Sequence, residues 1–450
     1  MDRVKKCWLI VLVMCLLSGL AGCSEPQDTT LETQSVNMTE TLPAAEETVK
    51  ETEPEETVGE TAPEETVEET APEEVTEPVI IQEPEPVAEH IETGILITLD
   101  ETNITERLAE AGDYMSNGFH SSQQLTVESE EPFSALYIRW DVHPGTFTLV
   151  WDGGSLECGA EGFLHDYIRL PEAVDSISFA FEEEGTHYIS EMGLYTYGLA
   201  PEGVQDWLPP CETADILVFP THADDDVLFF GGAISYYAVE KELAVQTAFM
   251  TDHYYEPFRN HERLDGLWEM GVRHYPVVGT ARDYYTMSLN EAANYHVNDG
   301  VLEWQVQQIR RFKPLVILGH DLEGEYGHGQ HKLNAHYLVQ AVDLAAQVLQ
   351  FPMLSREYGI WDTPKLYLHL YEENQIVFDV NTPLENDPEG RNPFAIAQEA
   401  YKCHVSQQQY DFAVSQDPDS TMDCTRFGLY RTLVGYDTGS DMMEHTARGE

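Results

Sequence analysis

Asp215-Ile216-Leu217-Val218-Phe219-Pro220-Thr221-His222-Ala223-Asp224-Asp225-Asp226 is the stretch on which the fold turns. A short apolar run closed by proline predicts a strand buried on both faces, with a polar loop at its carboxyl end. Beyond the loop, Gly231-Gly232 opens a helical stretch to about Leu243, and Val245 to Met250 reads as a second strand. Arg259 to Met270 has helical spacing and stops at Gly271. Val301 to Phe312 is amphipathic, with Leu302, Ile309 and Phe312 placed for packing, and Lys313-Pro314 ends it. Leu315 to Leu318 and Lys365 to Tyr371 follow as strands, and Phe394 to Cys403 as a helix. This alternation predicts an α/β domain over 206–450, a Rossmann-like, mainly parallel sheet with helices on both faces. Ligands of such sheets sit beyond the carboxyl ends of the strands, so the loops there carry the chemistry.

Upstream, 91–205 reads differently. Ala135 to Trp140, Thr146 to Trp151 and Ser176 to Phe181 alternate with period two, and Pro144-Gly145, Asp152-Gly153-Gly154 and Glu184-Gly185 punctuate them. Short strands at this spacing predict a β-sandwich or jelly roll, an accessory domain with the look of carbohydrate-binding modules. Trp140, Trp151 and Tyr167 are either core aromatics or a stacking platform for sugars.

The first 90 residues hold no core. Arg3, Lys5 and Lys6 precede an apolar run from Trp8 to Leu17 that ends in Leu20-Ala21-Gly22-Cys23. A basic start, a short apolar run and small residues form a secretory signal over 1–23, too short for a membrane span. Leu-Ala-Gly-Cys resembles the bacterial lipobox, which makes Cys23 the expected site of lipid attachment and the outer face of the cell membrane the expected address. From Glu25 to Glu89 there are 21 acidic residues against one lysine, with Glu-Thr-Ala-Pro-Glu-Glu units. Such a segment buries too little apolar surface to offset its ordering entropy, so 24–90 is expected as an extended linker.

Over 450 residues, 81 acidic and 23 basic side chains give a net charge of -58. That charge repels phosphate backbones, so nucleic acid is a poor partner. Oligomeric state is not legible. Without the signal and Cys23, four cysteines remain, Cys158, Cys211, Cys403 and Cys424. An even number in an exported chain permits disulfides, with Cys403 to Cys424 the most plausible pair, while free buried thiols are the alternative.

Two loops carry candidate chemistry. In the first, His222 and three carboxylates follow a buried strand, an arrangement of mutual repulsion that a divalent cation relieves. The second follows Leu318 and reads Gly319-His320-Asp321-Leu322-Glu323-Gly324-Glu325-Tyr326-Gly327-His328-Gly329-Gln330-His331. With His336 it places four of the chain's 17 histidines within a short stretch. His328 and His331, three apart, share one face of a first helical turn. Imidazole with carboxylate suits Zn2+, and three protein ligands leave a position for water.

Together the loops resemble the LmbE/PIG-L-like family of zinc-dependent de-N-acetylases, with its His-Pro-Asp-Asp-Glu and Tyr-Gly-His-x-x-His signatures. The resemblance spans roughly Ala214 to Gln350. It implies one Zn2+ held by His222, Asp225 and His331, with Asp224 as general base. It implies His328 for charge stabilisation or proton delivery and Tyr326 for polarising the amide carbonyl. Arg259-Asn260-His261-Glu262 matches an Arg-x-x-Glu element, making Arg259 a substrate contact, with a surface ion pair as the alternative for Arg259 and Glu262; His404 in His404-Val405-Ser406-Gln407 is either a second substrate contact or a buried structural histidine. His320 and Asp321 are candidates for orienting the ligands. Ala223 stands where proline is usual, Asp226 replaces Glu, and Gln330 replaces an Asp that can support the neighbouring histidine; that loss would lower the pKa of His328.

The implied function is hydrolysis of the acetamide of N-acetylglucosamine-type sugars to acetate and free amine. Two other readings compete. One is a noncatalytic glycan-binding lipoprotein, against which intact Asp224 and His328 argue. The other is an amidase acting on a different N-acyl compound.

Overall fold

The computed structural model describes residues 85–108 and 117–448. The expected signal, Cys23 and the acidic linker as far as residue 84 lie outside the described residues. Pairing begins at Val87, which bridges Leu199, and Ala88 is already buried. The described residues form one compact unit.

Eight strands come first: β1 (Ile95–Leu99), β2 (Thr102–Asn103), β3 (Asn117–His120), β4 (Leu125–Trp140), β5 (Phe147–Trp151), β6 (Gly154–Cys158), β7 (His165–Phe181) and β8 (Thr186–Tyr195), with a one-turn helix α1 (Thr105–Leu108) between β2 and β3. All pair antiparallel in one sheet. The long strands β4 and β7 lose register between Glu128 and Ala135, where the sheet changes partners. One half of β4 pairs β1 and the other pairs β8. Rings then meet from different parts of the sheet: Trp140 lies 5.4 Å from Phe147, and Phe181 lies 3.9 Å from His187. Trp140, Trp151 and Tyr167 are 0%, 8% and 7% exposed. They are core, and the stacking-platform alternative falls.

The second sheet has seven strands in the order β11-β10-β9-β12-β13-β15-β14. They are β9 (Ile216–Val218), β10 (Val245–Asp252), β11 (Val277–Arg282), β12 (Val316–Gly319), β13 (Lys365–His369), β14 (Gln375–Val377) and β15 (Arg426–Thr432). Neighbours from β11 to β13 are parallel, whereas β15 runs antiparallel to both β13 and β14. The sheet is therefore mixed, with an antiparallel edge that the strand-helix alternation did not reveal. Ile216, Leu217 and Val218 are fully buried between β10 and β12, as expected for a run with no polar alternation. The chain steps from β9 outward to β11, then returns to β12 on the other side of β9. The loops after β9 and β12 flank this reversal, so residues 220–226 and 320–331 come together.

The helices are α2 (Asp225–Leu228), α3 (Gly231–Ser235), α4 (Pro257–Glu269), α5 (Leu289–Tyr295), α6 (Val301–Phe312), α7 (Gly329–Ala345), α8 (Pro352–Tyr358) and α9 (Pro393–Cys403). Helix α6 has the expected bounds because Gly300 and Lys313, both left-handed, break it at each end. Its buried Val306, Ile309 and Phe312 face the sheet, each contributing about 1.5–3 kcal/mol by burial. The helix expected from Gly231 to Leu243 instead ends at Ser235 and widens into a π-helical turn over Tyr236–Glu240. Gly231 and Gly232 admit close neighbours: a Cβ would stand 2.9 Å from Ala397 Cβ and 2.6 Å from Val380 Cγ1.

All four cysteines of the described residues are free. The expected Cys403–Cys424 disulfide is therefore corrected. Sequence spacing carries no information about whether two sulfurs can meet.

Candidate active site

The loop after β9 turns sharply into α2, and its backbone wraps one carboxylate. Asp225 Oδ2 accepts from the amides of Thr221 at 3.1 Å and His222 at 2.7 Å. From the other loop, α7 begins at Gly329 and delivers His331 from its first turn. The three expected metal ligands converge: His222 Nδ1 is 3.2 Å from Asp225 Oδ2 and 3.1 Å from His331 Nε2, and His331 Nε2 is 3.3 Å from Asp225 Oδ2. Bonds of ~2.0–2.1 Å in a tetrahedron demand ligand separations of about 3.3 Å. The donor set and its spacing fit a zinc-like cation. His328 joins His222 and His331 in a second grouping with ligand-like spacing, and His320 joins Asp225 and His331 in a third.

Charge supports the same conclusion. Burial alone would lower the histidine pKa values. Asp283 and Asp225 nevertheless hold His222 above the usual range, and Asp225 with Glu325 raises His331 to about 10. Asp225 is driven the other way; against its burial, His331 and His222 hold its carboxyl well below the usual range. The cluster therefore stabilises positive charge at its centre.

Each ligand is held from behind. His331 Nδ1 donates to Glu325 Oε2 at 2.8 Å, and His222 Nε2 donates to Gln330 Oε1 at 3.0 Å. Glu325 is fully buried and also meets His320 Nδ1 and His369 Nδ1 at 2.8 Å each. His320 Nε2 in turn accepts from the amide of Thr221. His320 thus orients the first loop, whereas Asp321 donates its backbone amide to Glu325 Oε1 and turns its carboxylate to the amide of Glu323, away from the ligands. Gln330 makes no hydrogen bond to His328: its amide group spans Arg282 O, His296 Nε2 and Tyr284 N besides His222.

A cavity of about 690 Å³ opens beside the cluster, lined by His222, Asp224, Asp225, Arg259, Tyr326 and His328 among others. Asp224 Oδ1 accepts from Arg259 Nη2 at 3.0 Å, and burial pushes its carboxyl up to about 6 despite that cation. Arg259 also reaches Asp283 Oδ2 at 3.0 Å. Burial, with His222 and His331 close by, lowers His328 to about 2, so the surroundings favour a neutral ring. Its Nδ1 has no partner among the described residues. Tyr326 sits at φ +46° and stacks at 5.3 Å on Phe412. A left-handed tyrosine costs about 1–3 kcal/mol, a strain typical of side chains placed for function.

His404 is a buried structural histidine rather than a substrate contact. It is fully buried and absent from the cavity wall, packed so tightly on α4 that a Cβ at Gly266 would stand 2.8 Å from its Nε2. Ser406 and Gln407 line the cavity instead. Glu262, the last residue of the Arg-x-x-Glu element, fixes them by accepting from Ser406 N and Oγ at 2.6 Å. Sequence reasoning missed Glu325, His369 and Asp283. A carboxylate between Gly324 and Tyr326 in a histidine-rich loop was the available signal for Glu325.

No family model matches the chain. In sequence it is similar to the 1D-myo-inositol 2-acetamido-2-deoxy-alpha-D-glucopyranoside deacetylase 1 of Catenulispora acidiphila, at 27% identity over 196 residues. The match covers 37% of this chain and 59% of that protein, so the chain spans about three-fifths of the relative's length. Among solved structures, N,N'-diacetylchitobiose deacetylase from Pyrococcus horikoshii is 17% identical with a TM-score of 0.34, covering 45% of this chain and 74% of its own. The zinc-inhibited form of teicoplanin deacetylase is 14% identical with a TM-score of 0.28, covering 43% and 84%. In sequence the chain is thus similar to a deacetylase over part of its length.

Proposed function

We propose that the chain is an exported, zinc-dependent de-N-acetylase of the LmbE/PIG-L kind. It would act on N-acetylglucosamine-type sugars or glycans from a lipid anchor at Cys23, with a Rossmann-like catalytic domain and an N-terminal sandwich. The observation that carries this reading is the convergence of His222, Asp225 and His331 at 3.1–3.3 Å beside Asp224 on a cavity wall.

Zn2+ bound there supplies Lewis acidity toward a carbonyl and lowers the pKa of water. The chain's own residues do the rest. Asp224 takes the proton of the attacking water, and Arg259 holds its carboxylate in place. Tyr326 and a neutral His328 on the cavity wall offer hydrogen bonds to the oxygen that becomes negative as the amide carbon turns tetrahedral. The proton on Asp224 then passes to the departing amine. Ser406 and Gln407 face the sugar, whose hydroxyls suit their short polar groups.

The test is acetate release from N-acetylglucosamine oligomers by the chain from residue 81 onward, with and without a chelator. Release abolished by chelator and restored by Zn2+ is expected. Chelator-insensitive release, or none despite bound zinc, overturns the reading.

A further inference from the structure

Helix α4 presents two faces to two different partners. Arg259, Glu262 and Gly266 face the cavity side, meeting Asp224, Ser406 and His404. His261 and Asp265, four apart and therefore one above the other, face the N-terminal sheet. There His261 Nε2 meets Asp141 Oδ1 at 2.9 Å and His261 Nδ1 meets His165 Nε2 at 2.8 Å. His165 Nδ1 meets Gln205 Oε1 at 2.6 Å, and Asp265 Oδ1 accepts from Gln205 Nε2 at 2.6 Å and from Arg139 at 3.0 Å. Asp141, His165, Gln205 and His261 are all buried.

The direction of these bonds is fixed from one end. Trp207 Nε1 donates to Gln205 Oε1 at 3.0 Å, so that atom is the carbonyl oxygen. His165 must then donate from Nδ1 and accept at Nε2. His261 must donate to it from Nδ1, which leaves His261 Nε2 facing Asp141 Oδ1. Each link from Trp207 to His261 Nδ1 has a single allowed orientation, and an apolar contact of equal area would tolerate sliding that this relay does not.

We propose that the N-terminal sheet is a positioning element of the catalytic unit, holding α4 through Asp141 and His165 so that Arg259 keeps Asp224 in place. This rests on the deacetylase reading above. It gives the sheet a role other than sugar binding, for which its three candidate aromatics are buried.

A double-mutant cycle on the zinc-loaded protein tests it. Asp141→Ala is expected to keep the metal and lower kcat/KM by about 100-fold, the scale of a misplaced catalytic group. In an Arg259→Ala background it should cause little further loss, because both changes act on one arrangement. Asp141→Asn, whose side-chain amide can donate to His261 Nε2, should restore most of the activity. Losses that multiply, or an Asp141→Ala protein as active as the parent, overturn the inference. Should that variant fold poorly, His165→Phe takes its place in the same cycle with the same outcomes. Hydrogen exchange gives a readout free of any substrate. Amides of residues 258–262 should exchange at least about tenfold faster in the variant, with β12 and β13 unchanged. Unaltered exchange also overturns it, whereas absent acetate release by the parent protein would instead refute the deacetylase reading alone.

Discussion

Glu325 Oε2 lies 2.8 Å from Nδ1 of His331, and both side chains are wholly shielded from solvent. Burial by itself would keep this carboxyl protonated, yet His320 and the hydrogen bonds from three imidazoles hold it well below the usual range. A carboxylate behind a ligating imidazole fixes the tautomer and raises the basicity of the nitrogen that faces the metal. Glu325 stands in that place behind His331, a candidate ligand, and ties the ends of β12 and β13 through His320 and His369.

Glu325→Gln should therefore weaken metal binding by about 10–100-fold, because an amide N–H would confront an imidazole N–H. Competition with a chromophoric chelator measures it. Unchanged affinity would reduce Glu325 to a packing role.

Asp224 and His331 should separate chemistry from metal retention. Asp224→Asn is expected to keep the metal while losing turnover by about 10²–10⁴-fold, the usual contribution of a general base. His331→Ala should lose the metal itself, since it removes one of three converging ligands. Metal content by mass spectrometry beside acetate release reads both, and equal metal loss would break the assignment of base and ligand.

Much of this site lay open in the sequence, for a physical reason. Both loops follow strands whose apolar runs are uninterrupted, and polar residues placed just beyond such runs have few structural uses. The C-terminal end of α6 was legible because Lys313-Pro314 punctuates it. Contacts between distant segments were not: His369 reaches Glu325 from another strand, and Asp141 reaches His261 from the other sheet. Nor was the tight packing of His404 on Gly266, since a histidine in a polar segment reads the same whether it lines a cavity or fills one.

The thiols give a simple check on covalent structure. Cys158, Cys211, Cys403 and Cys424 are free, and burial first of all raises each to about 12, which leaves little thiolate at neutral pH. Denatured chain from residue 81 onward should titrate four thiols without reductant, and its Tm should be the same in dithiothreitol. Two thiols, or a Tm that falls on reduction, would restore a disulfide.

Asp166 on β7 should make stability pH-dependent. Burial, and secondarily the charge of Asp206, raise its carboxyl from 3.8 to about 7. The folded state thus keeps a proton that the unfolded chain releases above about pH 4. Where the native state binds more protons, stability falls as pH rises. This group's cost therefore appears from about pH 4, grows to about pH 7 and is constant above. Asp166→Asn cannot ionise, so its stability advantage over the parent should widen across that window by on the order of 2–4 kcal/mol. Denaturant melts of both proteins at pH 4.5 and 7.5 measure the difference of differences. Parallel pH profiles would mean that Asp166 ionises freely in the folded protein.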